Sequence, residues 1–414
     1  MKKAKQLSMD LEVESVKTKH KTHKKKEKKV RATQLSMEEL APFKQTFFEV
    51  GSRQRKAKRI FTAVFIVFIL GALAFTFYQD FGTGKELLSF KEILEVVGKN
   101  YKYLLFAFVA LFLYIFLEVL KVFIMLYVTT KKPMFKVALI TVMMGKYYDN
   151  ITPFATGGQA FQVFNLTKNG VDGGTAAAIP ISALFLSQVA FSLLSIVAII
   201  FDSKGIFGPS ITTDATRVFF YIGLATLLLI PFLVLLFFMM PKVVMGIVAF
   251  IVKVLAKLKL IKNPDLLKYK GIVAVKRYYK AIKRMASSKG CLFCGFITSL
   301  LIPIAAGSIT YFVLRTFGYD LPETNGILEW AQMVCAHLIL TCTVVFIPTP
   351  GNAGASEISF YSLFTVNLLG GIGVTAMLTW RFFIYYFFII FGVLFVFIKA
   401  LRVRRKEKKK KALL

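Results

Sequence analysis

Glu357 and Arg381 are ionisable residues set in apolar sequence. Glu357 comes three residues after Gly354, at the end of the run Pro348-Thr349-Pro350-Gly351-Asn352-Ala353-Gly354-Ala355-Ser356, and Arg381 interrupts a later apolar stretch. A carboxylate at such a depth holds a cationic group or carries a proton. A planar guanidinium takes two phosphate oxygens at once. Each also has a plainer reading, with Glu357 capping a half-helix N-terminus and Arg381 neutralising it. A second polar group surrounds another break: Asp149, Asn150, Thr152, Gln159 and Gln162 lie about Pro153, Gly157 and Gly158. They read as the lining of a polar cavity, while the glycines, with Gly351 and Gly354, allow close backbone approach. Glu118 and Lys121 fall at i,i+3 on one helix face and read as a pair satisfying each other, with Lys121 close enough to a span end to snorkel. With Lys146 and Tyr385 they are accessory site positions.

Other chemistries have little to work with. Of three His, two lie in the N-terminal tail, and Cys291-x-x-Cys294 has no matching second pair. The expectation is therefore no metal and no cofactor, with structural thiols. No nucleotide-binding loop or Ser/His/Asp arrangement supplies a catalytic residue.

The elements that would hold these residues are set by composition. The chain has 414 residues, of which 56% are hydrophobic and 18% charged, with 43 Phe. Its mean hydropathy is +0.64. A soluble interior could not hide so much apolar side chain, so the fold class expected is an all-α polytopic membrane protein. Uncharged windows at 60–79, 173–201, 218–241 and 290–314, with 103–130 despite its Glu118 and Lys121 and 382–398 extended back toward Gly371 across Arg381, give six full spans. Residues 134–169 and 330–369 break at Pro and Gly and read as two re-entrant broken-helix hairpins, because freed backbone groups survive at membrane depth only under protein or trapped water.

The formal charge of +32 is concentrated at the ends and in one mid-chain block. Residues 1–58 read as a basic, largely disordered cytoplasmic tail, too long and basic for a cleaved signal peptide. Residues 59–404 form the membrane domain and 405–414 a basic C-terminal tail. Within the domain, 242–289 holds thirteen basic residues and one acid and begins as an amphipathic helix suited to anionic inner-leaflet lipids. The positive-inside rule then puts both termini in the cytoplasm of a multi-pass plasma-membrane protein.

The two breaks match at an offset of 197: Thr152-Pro153 with Thr349-Pro350, Gly157 with Gly354, and Gly173-Gly174 with Gly370-Gly371. With opposite entry into the membrane this reads as an inverted repeat, whose binding site lies where the broken helices meet. Free N–H groups at the half-helix N-termini would seat a phosphate or carboxylate there.

At these residues the chain resembles the lysylphosphatidylglycerol synthase transmembrane-region family. Tyr147-Tyr148-Asp149-Asn150-Ile151-Thr152-Pro153 with Gly157-Gly158-Gln159 is similar to its first signature, and Pro348 to Glu357 to its second; Arg381 sits where the family tends to keep an Arg. The similarity covers roughly 59–404. It implies a flippase-like domain that moves aminoacylated phosphatidylglycerol between leaflets. It also implies a short form lacking the aminoacyl-transferase domain that full-length members carry after the last span. Gln159 departs from the family's acidic residue, which bears on any mechanism needing a carboxylate in both halves. Two other readings stay open: a phosphatidylglycerol lysyltransferase, as the family name has it, and a membrane scaffold for a separate lipid synthase. The partners expected are a phospholipid or lipid-linked substrate and anionic inner-leaflet lipids, with no specific nucleic acid.

Overall fold

The computed structural model describes residues 89–155, 157–206, 210–257, 264–319, 326–364 and 371–412. The tail at 1–58, the first expected span at 60–79 and Gly370 of the repeat lie outside the described residues. Among the described residues all regular structure is helical.

The first described helix, α1 (Phe90–Thr130), begins at a capping box in which Ser89 accepts from the Glu92 N–H and Glu92 from the Ser89 N–H. Its 41 residues far exceed the roughly 20 that cross a bilayer. The excess is absorbed at Asn100 (φ −118°), whose side chain donates to the Thr316 carbonyl at 3.2 Å. Then follow α2 (Phe135–Ile151), a 3₁₀ turn at Pro153–Ala155, and α3 (Gly157–Lys168). α3 folds back on α2: Asn165 donates to Thr141 at 2.8 Å, and Gly145 leaves room for Gln162. The break is therefore a tight antiparallel helical hairpin.

α4 (Gly173–Ser203) is capped by Asp172, and α5 (Asp214–Met239) by Thr213. α6 (Pro241–Lys257) and α7 (Pro264–Ser287) carry the basic block. α7 is tied to the bundle by polar contacts to free helix-end carbonyls, Arg284 to Thr129 at 2.6 Å and Tyr279 to Phe237 at 2.5 Å. α8 (Lys289–Thr316) lies along α1. α9 (Gly326–Val344), a 3₁₀ turn at Pro350–Asn352 and α10 (Ala355–Phe364) make the second broken element. α11 (Gly371–Arg381) runs through a π-helical turn at Phe382–Tyr386 into α12 (Phe387–Ala412).

Six of these helices are long and apolar enough to cross a membrane: Phe90–Thr130, Gly173–Ser203, Asp214–Met239, Lys289–Thr316, Gly326–Val344 and Ile372–Ile398. Five coincide with expected spans. The other, α9, is the first limb of the second broken region, expected only as part of a hairpin; its 19 residues suffice alone. On α5 the exposed Phe219, Leu229 and Phe232 make a surface that lipid covers and water would not. The chain is a polytopic membrane protein.

Aromatic packing joins α10 to α11. Phe360 lies against Phe364 and Trp380 with ring centroids 4.9 and 5.2 Å apart. Small residues bring backbones together around it, Gly223 on α5 facing the Cys342 carbonyl of α9 and Gly307 on α8 facing Val334. Neither position has room for a Cβ.

The two breaks share a tight turn. In the first, the Ala155 N–H donates to Thr152 O and Ala155 has φ +50°; in the second, Asn352 donates to Thr349 O and has φ +55°. Each pair of equivalent residues is 197 apart. The repeat seen in the sequence therefore extends to this turn and its left-handed residue, which L side chains seldom adopt, but not to the next glycine, since Gly354 has φ +87° and Gly157 is helical.

Candidate functional site

A cavity of about 360 Å³ lies inside the bundle, bounded by residues of both breaks: Asn150 at the end of α2, and Gly351 and Asn352 in the second turn. Its walls follow the repeat. Leu184, Ser187, Gln188 and Phe191 of α4 line one side, and Arg381, Ile384, Tyr385 and Phe388 line the other. Each member of the second set is 197 residues beyond its counterpart in the first. α1, α8 and α9 close the remainder with Tyr114, Ile309 and His337 among others.

Arg381 enters at the junction of α11 with the π-helical turn. Its Nε lies 2.7 Å from Glu357 Oε1, with both side chains buried. Its Nη1 donates to the Gly351 carbonyl at 2.9 Å, and its guanidinium stacks on the Tyr385 ring at 4.7 Å. Gly351 takes φ +58°, and a Cβ there would run into that ring. Glu357 is held in turn by the Gly354 N–H at 2.6 Å and by the Ser356 hydroxyl at 3.4 Å. The pair thus ties α11 to the second break, with Arg381 on the cavity wall and Glu357 behind it.

The second ionic cluster joins three helices. Glu118 takes Lys121 at 3.0 Å on one oxygen and Lys146 at 2.9 Å on the other. The two lysines differ sharply. Lys121 is 2% exposed and donates to Ser187 at 2.6 Å, whereas Lys146 is 30% exposed and lies over the Tyr114 ring at 5.1 Å. The expected Glu118–Lys121 pair is present. Lys121 does not snorkel: Ser187 on α4 gives its ammonium a partner inside the bundle. Glu118 and Lys146 both line the cavity.

At the first break the side chains serve mainly the turn. Asp149 accepts from the Gly158 N–H at 2.9 Å, and Thr152 accepts from the Gly157 N–H at 2.9 Å while donating to Tyr148 O at 2.8 Å. Gly158 packs directly on the Asp149 carboxylate, and Pro153 opens the 3₁₀ turn. Gln159 is partly buried on α3, outside the cavity lining. Asn150 does reach the cavity, and its side chain donates to Tyr385 O at 3.3 Å, linking the two halves. In the second turn Pro350 starts the 3₁₀ segment, and Ser356 lines the cavity. The helix N-termini expected to offer free N–H groups to an anion have spent the Gly157, Gly158 and Gly354 donors on Thr152, Asp149 and Glu357. A chain that breaks a helix in an apolar interior must satisfy those donors itself.

Of the expected residues, the structure gathers Glu118, Lys146, Asn150, Gly351, Ser356, Arg381 and Tyr385 around one cavity, with Lys121 and Glu357 just behind the wall. It adds polar residues that sequence reasoning missed, among them Ser187, Gln188, Ser299, His337, Thr341 and Asn352. The repeat offset, applied to Tyr385, would have found Gln188. Nothing in the spacing marks His337.

Among the described residues no cluster of His, Cys, Asp or Glu could hold a metal ion. The cysteines are free, Cys291 and Cys342 buried and Cys294 exposed. What the arrangement can do is bind: it offers one accessible ammonium, that of Lys146, with polar hydroxyl and amide groups and an apolar remainder, to a ligand with an anionic head. A family model described as Lysylphosphatidylglycerol synthase TM region matches residues 60–392. No curated protein matches the chain.

Proposed function

The chain belongs to the lysylphosphatidylglycerol synthase transmembrane-region family, and from that membership and the charged cavity inside its helices we propose that it is a lipid translocase. Its substrate is an aminoacylated phosphatidylglycerol or a similar phospho- or glycolipid, moved between leaflets. The observation that carries this reading is a cavity of about 360 Å³ in a membrane-spanning bundle, with Lys146, Glu118 and Arg381 on its wall. Ionised groups are costly at membrane depth and mark the pathways of polar cargo. The volume suits a headgroup and not two acyl chains, so the tails stay in lipid.

Lys146 has the most accessible ammonium and takes the phosphate. Glu118, shared between two lysines, faces the aminoacyl amine when the headgroup displaces Lys146 from it. The Glu357–Arg381 pair holds the second break against α11 and must loosen as the two repeats rock about the cavity. The two breaks then meet near the bilayer midplane, the first within the α2–α3 hairpin and the second after the spanning helix α9. Both termini are cytoplasmic in a plasma-membrane protein, and the basic α6–α7 segment gathers anionic lipid at the inner leaflet. A separate synthase supplies aminoacylated lipid to it.

Purified protein in vesicles loaded with lysyl-phosphatidylglycerol on the inner leaflet, probed by a membrane-impermeant amine reagent, tests this. The wild-type chain accelerates outer-leaflet labelling, and Lys146→Met slows it about tenfold. Labelling no faster than in protein-free vesicles would remove the proposal.

A further inference from the structure

His337 is the cavity residue with the least sequence warning and the most constrained chemistry. It sits on α9, 5% exposed, and lines the cavity. Its Nδ1 lies 2.8 Å from Thr310 Oγ1 on α8, and Trp380 Nε1 on α11 donates to the same oxygen at 3.0 Å. An indole N–H can only donate, so it occupies one lone pair of the Thr310 hydroxyl. Thr310 is fully buried. Among the described residues the single acceptor within reach of its own proton is His337 Nδ1. Donation by that hydroxyl to Nδ1 satisfies both groups and leaves the ring proton on Nε2. Among the described residues no hydrogen bond occupies Nε2, and His337 borders the cavity.

We propose that His337 presents Nε2–H as a fixed hydrogen-bond donor to a phosphate or ester oxygen of the lipid held in the cavity. The inference rests on the reading of the cavity as a phospholipid site and adds which end of the headgroup lies here. An aminoacyl ammonium brings only donors and would meet a donor. An oxygen meets its complement, in a site buried enough for the bond to count. Ile309, Leu340 and Trp380 form the apolar surroundings, so a bound oxygen has little water to compete with. Three helices from different parts of the chain fix the ring before any ligand arrives, and that preorganisation removes an ordering cost from binding.

The test uses the full chain in nanodiscs with ¹⁵N-labelled histidine, the His337 signals being assigned by their loss in His337→Gln. The proposal expects an unprotonated Nδ1 and a protonated Nε2, with Nε2 shifting on addition of phosphatidylglycerol and not of inorganic phosphate. It also expects His337→Ala to weaken phosphatidylglycerol binding about tenfold. His337→Gln, which can offer an amide N–H at a similar reach, should keep most of the affinity. Thr310→Val, which lets the proton occupy either nitrogen, should fall between. A proton found on Nδ1, a shift produced by inorganic phosphate alone, or wild-type affinity in His337→Ala would each overturn it. A structural role alone would lower stability equally in the Ala and Gln variants and leave affinity in the folded fraction unchanged. Binding is read here without transport. Tight phosphatidylglycerol binding with no leaflet exchange would sink the translocase and leave the His337 assignment standing.

Discussion

Removing Arg381 should cost far more than removing the whole pair to which it belongs. In Arg381→Met, Glu357 loses a contact at 2.7 Å while remaining 3% exposed, and the Gly351 carbonyl loses its 2.9 Å donor. Stranding one charge of a buried pair costs about 3–5 kcal/mol. The guanidinium's stacking on Tyr385, at 4.7 Å, is lost as well. In Glu357→Gln/Arg381→Met no charge is left behind, and the glutamine oxygen can still accept from Gly354. Replacing both partners of such a pair is often close to neutral. A double-mutant cycle measured by unfolding in detergent should therefore return an interaction energy of at least about 2 kcal/mol, with the double variant more stable than Arg381→Met alone. Strictly additive losses would show that the pair is not the buried, mutually dependent contact described here. The folded double variant then separates two roles in the leaflet-exposure assay. Retained exchange makes the pair a lock between helix and turn, and lost exchange places one of its charges in the transport cycle.

The two lysines of the other cluster should part company: Lys121→Met lowers the unfolding free energy by about 1–3 kcal/mol because Ser187 and Glu118 lose a buried donor, whereas Lys146→Met leaves it nearly unchanged and weakens phosphatidylglycerol binding. Equal effects on stability would refute the assignment of Lys146 to the cavity. Gly351→Ala should destabilise by about 1–3 kcal/mol, since its φ of +58° and the Tyr385 ring both oppose a side chain; an unchanged midpoint would argue against this turn. Lys276→Gln, Lys280→Gln and Lys283→Gln lie on the exposed side of α7, and together should lower attachment of detergent-solubilised protein to anionic vesicles several-fold, an effect erased near 1 M salt. Binding that ignores both charge and salt would exclude this role for α7.

The spans were legible because crossing a bilayer demands length and apolarity, and α4, α5 and α8 end within a few residues of where charge returns. The breaks were legible for a related reason: Pro153 and Pro350 lack an N–H, and a glycine follows soon after each. What a polar residue beside a break points toward was not. Asp149 and Thr152 have the types and spacing of cavity residues, yet the turn takes both, because the N–H groups of Gly157 and Gly158 were closer claimants than any ligand. Lys121 failed to snorkel because of Ser187, 66 residues away, and His337 acquired its orientation from Thr310, 27 residues away. Such long-range partners leave no local periodicity. Only the repeat offset carries distant information: applied to Tyr385 it points to Gln188, which lines the same cavity.

That offset also exposes an asymmetry with consequences for the ligand. The two breaks share a left-handed residue, at Ala155 and Asn352, but the charges do not repeat. The position matching Glu357 is Ala160, and the position matching Arg381 is Leu184. Charge on the other side of the cavity comes instead from α1 and α2, as Glu118 with Lys121 and Lys146. A duplicated frame would by itself build a site with two equivalent faces, which could not tell one end of a headgroup from the other. Here one face carries a closed carboxylate–guanidinium pair and the other a carboxylate shared by two ammonium groups, one of them open to the cavity. A headgroup with an anionic oxygen at one end and a cationic amine at the other would have a single favourable orientation in such a site, because reversing it sets like charge against like.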